Sequence, residues 1–261
     1  MITELEKKIQ KAKLNIKPFP HIVIKNFLSL TTLKRLNVVL PNYDDVNKDQ
    51  VIFQSSSETK KIIMQDSKVF KNLLKKNIFK QVNNNLKKIK PTILKKFKNE
   101  ISKNVNTQFV NSKIEYNMNF ALMKKGYLKS PHLDRRDHLI SGVYYPASET
   151  NKGGNLEMYK TKKKTQIFDV FPSKKNLKIG KNYKINKNFC VFFLNVPWAY
   201  HSVTKYYGET DRKYFYIDYD FKGKKSSSST KSRKKGLNES FFWKNSAKVK
   251  STSRKKLFLT E

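Results

Sequence analysis

The stretch Ser130-Pro131-His132-Leu133-Asp134 lies inside a long series of short strand patterns. Just before it, from Ile114 to Phe120, apolar and polar residues alternate, which is typical of a strand with one buried face. A turn at Lys124-Lys125-Gly126 then leads into the strand pattern that carries the stretch. Because alternate side chains of a strand point to the same face, we expect His132 and Asp134 on one side of a sheet, about 6 to 7 Å apart.

Eight strand patterns of this kind follow one another between residues 113 and 221, each bounded by turn residues. Their number and spacing predict a mainly β fold with flanking helices, namely an antiparallel double-stranded β-helix, or jelly roll. The most apolar of them, Phe189–Leu194, is interpreted as a strand buried on both faces. The patterns cover residues 114–123, 127–132, 139–145, 155–159, 165–171, 189–194, 200–204 and 213–221.

Composition and periodicity divide the chain into three parts. Residues 1–112 carry an edge strand entered through Pro18-Phe19-Pro20 and several helical patterns, and we expect this part to pack on the barrel. Residues 113–221 are the predicted jelly-roll core. Residues 222–261 form a basic tail rich in serine and lysine that is predicted to be disordered. Within it, Phe241-Phe242-Trp243 either docks on the domain or binds a partner.

The formal net charge of +36 comes almost entirely from lysine. Lysine is abundant together with asparagine, isoleucine and phenylalanine, as an A/T-rich coding sequence produces, so compositional drift is favoured over selection for a polyanion. Arginine, which contacts phosphates and bases through two hydrogen bonds, is rare. Non-specific binding to nucleic acid is nevertheless expected from the charge.

The single cysteine, Cys190, cannot form an internal disulfide. No apolar run is long enough to span a bilayer, and the first residues do not form a secretory signal. We therefore expect a cytoplasmic protein that does not associate with membranes.

Two histidines and one carboxylate are the ligand set of a non-haem Fe(II) site that keeps open coordination positions. His132 and Asp134 offer one histidine and the carboxylate. His201 offers the second histidine from a strand pattern 69 residues (201 − 132) further on. The other two histidines, His21 and His138, fall in other strand patterns. A His-x-Asp triplet alone is more often a surface or hydrogen-bonded histidine, so the surrounding sequence decides its weight.

Around the triplet, a set of features follows in a fixed order along residues 16–221. They are Lys17-Pro18-Phe19-Pro20-His21, Gly126 in the turn before His132, the aromatic strand Val143-Tyr144-Tyr145, Gly153-Gly154-Asn155-Leu156, the apolar run 189–195, His201-Ser202-Val203 and Arg212. In this order they resemble the Fe(II)/2-oxoglutarate-dependent dioxygenase superfamily, and within it the prolyl-4-hydroxylase-like group.

The resemblance implies that His132, Asp134 and His201 bind the metal and that Arg212 anchors the distal carboxylate of 2-oxoglutarate. A planar guanidinium suits that role because it pairs with a carboxylate through two hydrogen bonds. These four are the expected catalytic residues. The implied cofactors are Fe(II), the co-substrate 2-oxoglutarate and O2, with ascorbate as a further candidate. The implied reaction hydroxylates a C–H bond of a small-molecule or peptide substrate, namely a free or peptidyl amino acid, with release of succinate and CO2.

Two positions depart from the pattern of the group. Tyr214 stands where a serine is common, two residues after Arg212, and we expect its hydroxyl to contact the co-substrate. Met123 stands where a tyrosine is common, three residues before Gly126. Two other interpretations stay open. One is a nucleic-acid-modifying oxygenase of the same superfamily, suggested by the positive charge. The other is a jelly-roll binding protein with an inactive site, against which the complete set of four residues argues.

Overall fold

The computed structural model describes residues 2–47, 58–135, 137–161, 172–221 and 242–244. Within these ranges the chain forms two β-sheets and six α-helices. The helices are α1 (Glu4–Lys11), α2 (Leu30–Val39), α3 (Lys68–Leu74), α4 (Asn77–Lys88), α5 (Lys90–Asn104) and α6 (Thr107–Val110). The strands are β1 (His21–Lys25), β2 (Lys60–Ile63), β3 (Ile114–Met123), β4 (Lys129–His132), β5 (His138–Ala147), β6 (Leu156–Thr161), β7 (Leu177–Tyr183), β8 (Phe189–Leu194), β9 (His201–Val203) and β10 (Arg212–Phe221).

The larger sheet has the strand order β1-β8-β5-β10-β3-β2, and the smaller sheet has the order β4-β9-β6-β7. Paired strands are antiparallel in both sheets. Neighbouring strands such as β1 and β8 are far apart in sequence, which is the crossover connectivity expected of a jelly roll. The architecture confirms the prediction of a mainly β fold with flanking helices.

Helices cover one face of the larger sheet. Phe215 of β10 packs against Phe79 of α4, with ring centroids 5.8 Å apart. The hydroxyl of Tyr219, also on β10, donates to the carbonyl of Leu86 on α4 at 3.1 Å. The apolar residues of α4 are buried, which leaves its lysines and asparagines for solvent. No helix among the described residues has the length and apolar character needed to cross a membrane.

The opposite face of the larger sheet, called the inner face below, looks onto the smaller sheet. Since side chains alternate along a strand, Asp218 of β10 points to the inner face, away from the helix side. In the register of the sheet, Asp218 lies opposite Ser141 of β5, and Ser141 lies opposite Phe193 of β8. The ring of Phe193 is 4.9 Å from the ring of His201 on the smaller sheet. This row therefore lies directly beside β9.

The predicted strand pattern is confirmed for most of the chain, with two omissions. β1 is an edge strand, as the proline-rich entry indicated. β2 lies in the part of the chain for which helical patterns were predicted, and β7 lies between the strand patterns predicted at 165–171 and 189–194. In β2 the lysines Lys60 and Lys61 hide the strand because they look like a solvated pattern, yet both are buried. The strand predicted at 165–171 lies outside the described residues.

Two residues of the basic tail pack on the domain. The ring of Phe242 stacks on that of Phe221 with centroids 4.2 Å apart. Trp243 is fully buried and forms an isolated β-bridge with Val105. Of the two interpretations of the aromatic segment, docking on the domain is the one observed. The disorder predicted for the rest of residues 222–261 lies outside the described residues.

Candidate metal centre

His132, Asp134 and His201 meet between the paired strands β4 and β9. His132 lies opposite His201 in the register, and Asp134 follows shortly after β4 ends. Nε2 of His132 is 3.7 Å from Oδ1 of Asp134, and Nε2 of His201 is 3.7 Å from Oδ2 of the same carboxylate. One ligand atom from each residue lies within 4.8 Å of the others. Separations of this size are too long for hydrogen bonds and suit atoms that surround one metal ion.

Both imidazoles are held in the tautomer that a metal ligand needs. Nδ1 of His132 is 3.0 Å from the carbonyl oxygen of Ser130, and Nδ1 of His201 is 3.0 Å from that of Ala199. A carbonyl only accepts hydrogen bonds, so each Nδ1 carries the proton and each Nε2 presents its lone pair. Metal-binding histidines typically donate their second N–H in this way. The two free lone pairs are the ones that face Asp134.

The charge states of the cluster also suit a metal. Burial lowers the pKa of His132 well below its usual value, and the neighbouring His201 and Lys129 lower it further, so His132 is neutral at pH 7. Burial alone would raise the pKa of Asp134, but His201 and His132 outweigh it and bring the pKa to about 2. A neutral imidazole and an ionised carboxylate are the forms that bind metals.

The other two histidines have different partners. Nδ1 of His138 is hydrogen-bonded to the carboxylate of Asp220. Burial opposes the charge on His138, but Asp220 overcomes it and the pKa of His138 rises to about 10. His138 is therefore protonated at pH 7 and has no lone pair for a metal. The nitrogens of His21 lie 2.7 Å from the carbonyl of Phe19 and 2.6 Å from the hydroxyl of Tyr183.

Arg212 begins β10 and is fully buried. Its guanidinium lies 4.4 Å from the ring centroid of Tyr206 and donates to the carbonyls of Gly154 and Gly153, the latter at 2.9 Å. Within the described part of the chain, no carboxylate pairs with Arg212 and its Nε has no hydrogen-bond partner. A buried cation with an unused donor and no counter-ion is suited to bind a carboxylate. The residue is therefore suited to bind a carboxylate, and its role toward the distal carboxylate of 2-oxoglutarate stays a prediction.

Two glycines make the position of the guanidinium possible. Gly153 and Gly154 have φ angles of 67° and 62°, a backbone conformation that residues other than glycine rarely adopt. A Cβ atom on Gly154 would lie 2.0 Å from Nη1 of Arg212. Glycine is thus required here both by the backbone and by the space that the arginine takes.

Tyr214 lies two residues further along the same face and is buried. Its hydroxyl is 3.4 Å from that of Tyr216. The contact of this hydroxyl with the co-substrate stays a prediction.

The interior holds a second buried cation that the sequence did not single out. Nζ of Lys60, on β2, donates to the hydroxyls of Tyr216 at 2.7 Å and Tyr127 at 3.2 Å. Lysine is so abundant in this chain that nothing distinguished Lys60 from its solvated neighbours.

Asp218 and Ser141 lie beside Asp134 and were also missed. Burial raises the pKa of Asp218 to about 7, although the protonated His138 opposes the rise. The signal that points to Asp218 is its spacing, because it lies six residues after Arg212 and alternation puts both on one face. That signal becomes informative only when the register of β10 against β5 is known.

A jelly roll that carries two histidines and one carboxylate defines the class of non-haem Fe(II) oxygenase folds. No family model and no curated protein matches the chain. Among solved structures, it is similar to a prolyl-4-hydroxylase from Pseudomonas putida, with a TM-score of 0.56 and 14% sequence identity over 84% of this chain and 100% of that chain. It is also similar to SnoK, a non-haem α-ketoglutarate-dependent carbocyclase from nogalamycin biosynthesis, with a TM-score of 0.50 and 9% identity over 85% of this chain and 84% of that one. The fold is thus the jelly roll of these oxygenases, and the resemblance to the prolyl-4-hydroxylase-like group is confirmed at the level of the fold.

Proposed function

We propose that the chain is an Fe(II)- and 2-oxoglutarate-dependent dioxygenase that hydroxylates a C–H bond of a peptidyl or free amino acid. The observation that carries the proposal is the geometry of His132, Asp134 and His201, whose two lone-pair nitrogens and ionised carboxylate face one another. Three such ligands leave coordination positions open for a 2-oxo acid and O2. The buried guanidinium of Arg212, which has an unused donor, supports the same class of co-substrate.

Each residue has a distinct task in this proposal. Fe(II), 2-oxoglutarate and O2 supply the oxidising chemistry, in which the substrate C–H becomes C–OH while 2-oxoglutarate and O2 yield succinate and CO2. His132, Asp134 and His201 hold the ion. Arg212 binds the distal carboxylate of the co-substrate. Because Arg212 has no exposed surface, that charge pair is shielded from water and correspondingly strong.

An amino-acid substrate is supported by the similarity to a protein named as a prolyl-4-hydroxylase. The similarity to a carbocyclase indicates that the same fold also serves other outcomes of the same oxidative chemistry. Hydroxylation therefore has to be measured on the product as a mass gain of one oxygen atom.

The proposal is tested by titrating Fe(II) and 2-oxoglutarate into the purified chain without O2, then admitting O2 and measuring succinate. We expect metal-dependent binding of 2-oxoglutarate and O2-dependent release of succinate. Asp134→Ala is expected to abolish both, because it removes the carboxylate that lies between the two histidines of the metal centre. Asp66→Ala, which removes an exposed carboxylate, is the matched control and should behave as the unchanged chain.

The role of Arg212 is tested with Arg212→Gln and with Arg35→Gln at an exposed position of α2 as its control. Loss of a charged hydrogen-bond pair should weaken 2-oxoglutarate binding by about 10- to 100-fold in the first variant only. The proposed function is wrong if the chain binds no 2-oxoglutarate in the presence of Fe(II), or if Asp134→Ala releases succinate at the original rate.

A further inference from the structure

Besides Lys129, which acts on His132, six charged side chains of the described residues lie around the metal centre, at the end of the inner face where Asp218 lies. Two of them are cations, and each has its own carboxylate. Nε of Arg135 donates to Asp137 at 2.9 Å, and His138 is hydrogen-bonded to Asp220. The six are Asp134, Arg135, Asp137, His138, Asp218 and Asp220. On the proposed function Asp134 binds the metal. Among the described residues Asp218 forms no ion pair, and the cation that lowers its pKa, His138, is already hydrogen-bonded to Asp220.

A buried hydroxyl accompanies Asp218. Ser141 is 4% exposed and lies between Asp218 and Phe193 in the register, and the ring of Phe193 contacts that of His201. Among the described residues, the Ser141 hydroxyl oxygen makes no hydrogen bond of normal geometry, although it lies near the carboxyls of Asp218 and Asp134 and lowers the pKa of both. Leaving a buried polar atom without a hydrogen-bond partner costs about 1 to 3 kcal/mol of folding free energy. Such an atom therefore often marks a site where a bound molecule supplies the missing hydrogen bond.

Along the inner face of β10, solvent access is greatest at Tyr216 and Asp218, and Asp220 beyond them is buried again. Arg212 and Tyr214 are buried, whereas Tyr216 and Asp218 are only partly buried. Six residues separate Arg212 from Asp218, about 20 Å of extended chain. A co-substrate held by Arg212 would occupy the closed end of the inner face. The accessible surface beside the metal centre is then the surface that carries Asp218.

We propose that this surface binds the cationic group of the substrate, with the carboxylate of Asp218 as its counter-ion and the hydroxyl of Ser141 as a second acceptor. The substrate class is an amino acid with an amine or guanidinium side chain, either free or within a peptide. The inference rests on the proposed function and adds the substrate class to it. A carboxylate and a hydroxyl that both accept hydrogen bonds suit an ammonium or guanidinium group, which only donates them.

The charge of the lysine-rich surface bears on which substrates the Asp218 surface selects. A net charge of +36 repels cations at long range, so a cationic substrate gains nothing from the surface and depends on direct contact inside the barrel. The same surface would attract an anionic substrate, but such a substrate would meet the carboxylate of Asp218 beside the metal centre.

The test uses the full chain loaded with Fe(II) and 2-oxoglutarate, and two pairs of probes that differ chiefly in charge: lysine with norleucine, and arginine with citrulline. Each pair is supplied as the free amino acid and in the middle of a blocked tripeptide. Succinate release and oxygen incorporation into the probe are measured. We expect at least one cationic probe to be hydroxylated with a kcat/KM about 10- to 100-fold above that of its neutral partner. Comparing the free amino acids with the tripeptides shows whether the cation is recognised on a free amino acid or within a peptide.

Two variants of Asp218 and one control complete the test. Asp218→Asn should remove the preference for the cation, and Asp218→Lys should reverse it in favour of glutamate as a probe. Glu115→Gln removes an exposed carboxylate from β3 and should keep the original preference. The inference is overturned if neutral probes are used as well as cationic ones, if no cationic probe is hydroxylated, or if Asp218→Asn keeps the preference. In each of these cases the unchanged chain still releases succinate, whereas failure of the proposed function is the loss of that release itself.

Discussion

Replacing Gly154 with alanine should test the co-substrate anchor through the affinity for 2-oxoglutarate, measured separately from the stability of the fold. The added Cβ would lie 2.0 Å from Nη1 of Arg212, well inside van der Waals contact. The guanidinium cannot move aside easily, because it is fully buried and packs 4.4 Å from the ring centroid of Tyr206. The substitution should therefore displace the guanidinium from the place where it meets a carboxylate.

The magnitude has two parts. Alanine at a positive φ costs about 1 to 2 kcal/mol of folding free energy. Displacing one charged hydrogen-bond pair costs about 1.5 to 3 kcal/mol of binding free energy, which is roughly a 10- to 100-fold weaker affinity for 2-oxoglutarate. Gly126→Ala is the matched control, because Gly126 also has a positive φ, 93°, but a Cβ there would meet only a Thr59 methyl at 3.6 Å.

The assay combines urea denaturation with anaerobic titration of 2-oxoglutarate in the presence of Fe(II). Both variants should lose folding free energy because of the positive φ, and Gly154→Ala should lose more, because its Cβ also displaces a buried guanidinium. Only Gly154→Ala should lose affinity for the co-substrate. If Gly154→Ala binds 2-oxoglutarate as tightly as the unchanged chain while its stability falls, Arg212 is not the anchor.

Three further outcomes are expected. The pKa of His138 is raised in the folded chain to about 10, so the stability that its pair with Asp220 provides is complete below about pH 6.5 and is lost as the pH rises toward 10. His138→Gln should flatten this decline in urea denaturation measured across that range, and an unchanged slope would contradict the assignment. Trp243→Ala should destabilise the domain by about 3 to 5 kcal/mol because the ring is fully buried, whereas Val38→Ala, at a position 85% exposed, should stay within about 0.5 kcal/mol. Equal stabilities would show that the tail segment does not dock in solution. Binding to DNA of unrelated sequences should weaken steeply and equally with added salt, and a marked preference for one sequence would argue for a dedicated nucleic-acid site.

The sequence was sufficient to predict those parts of the fold in which the residue types and their periodicity indicate the same kind of element. Alternation along residues 114–120 places apolar side chains on one face, and the apolar run at residues 189–194 forms a central strand. That His132, Asp134 and His201 lie together was predictable because histidine is rare in this chain, with four residues in all. A rare residue type in a recognisable order carries information even where the surrounding composition is biased.

Lysine shows the opposite case. Lys60 and Lys61 are adjacent, and both are buried, but on different faces of β2. Nζ of Lys60 reaches the tyrosines of the inner face, whereas Nζ of Lys61 reaches the carbonyls of Tyr43 and Val46. In a chain dominated by lysine, neither could be separated from solvated neighbours by pattern alone. Their roles depend on pairing between β2 and β3, which is a long-range contact that local sequence does not encode.

The same limit explains why Asp218 was missed and why it matters. The inner face has a cationic end, with Arg212 and Lys60 in one row across β10, β3 and β2, and an acidic end at Asp218. On the proposed function, a doubly anionic co-substrate binds at the cationic end and is repelled from the acidic one. A cationic substrate has the reverse preference. The two molecules would therefore be held at opposite ends of one strand, and the distribution of charge inside the barrel, rather than the lysine-rich surface, would determine which molecule binds where.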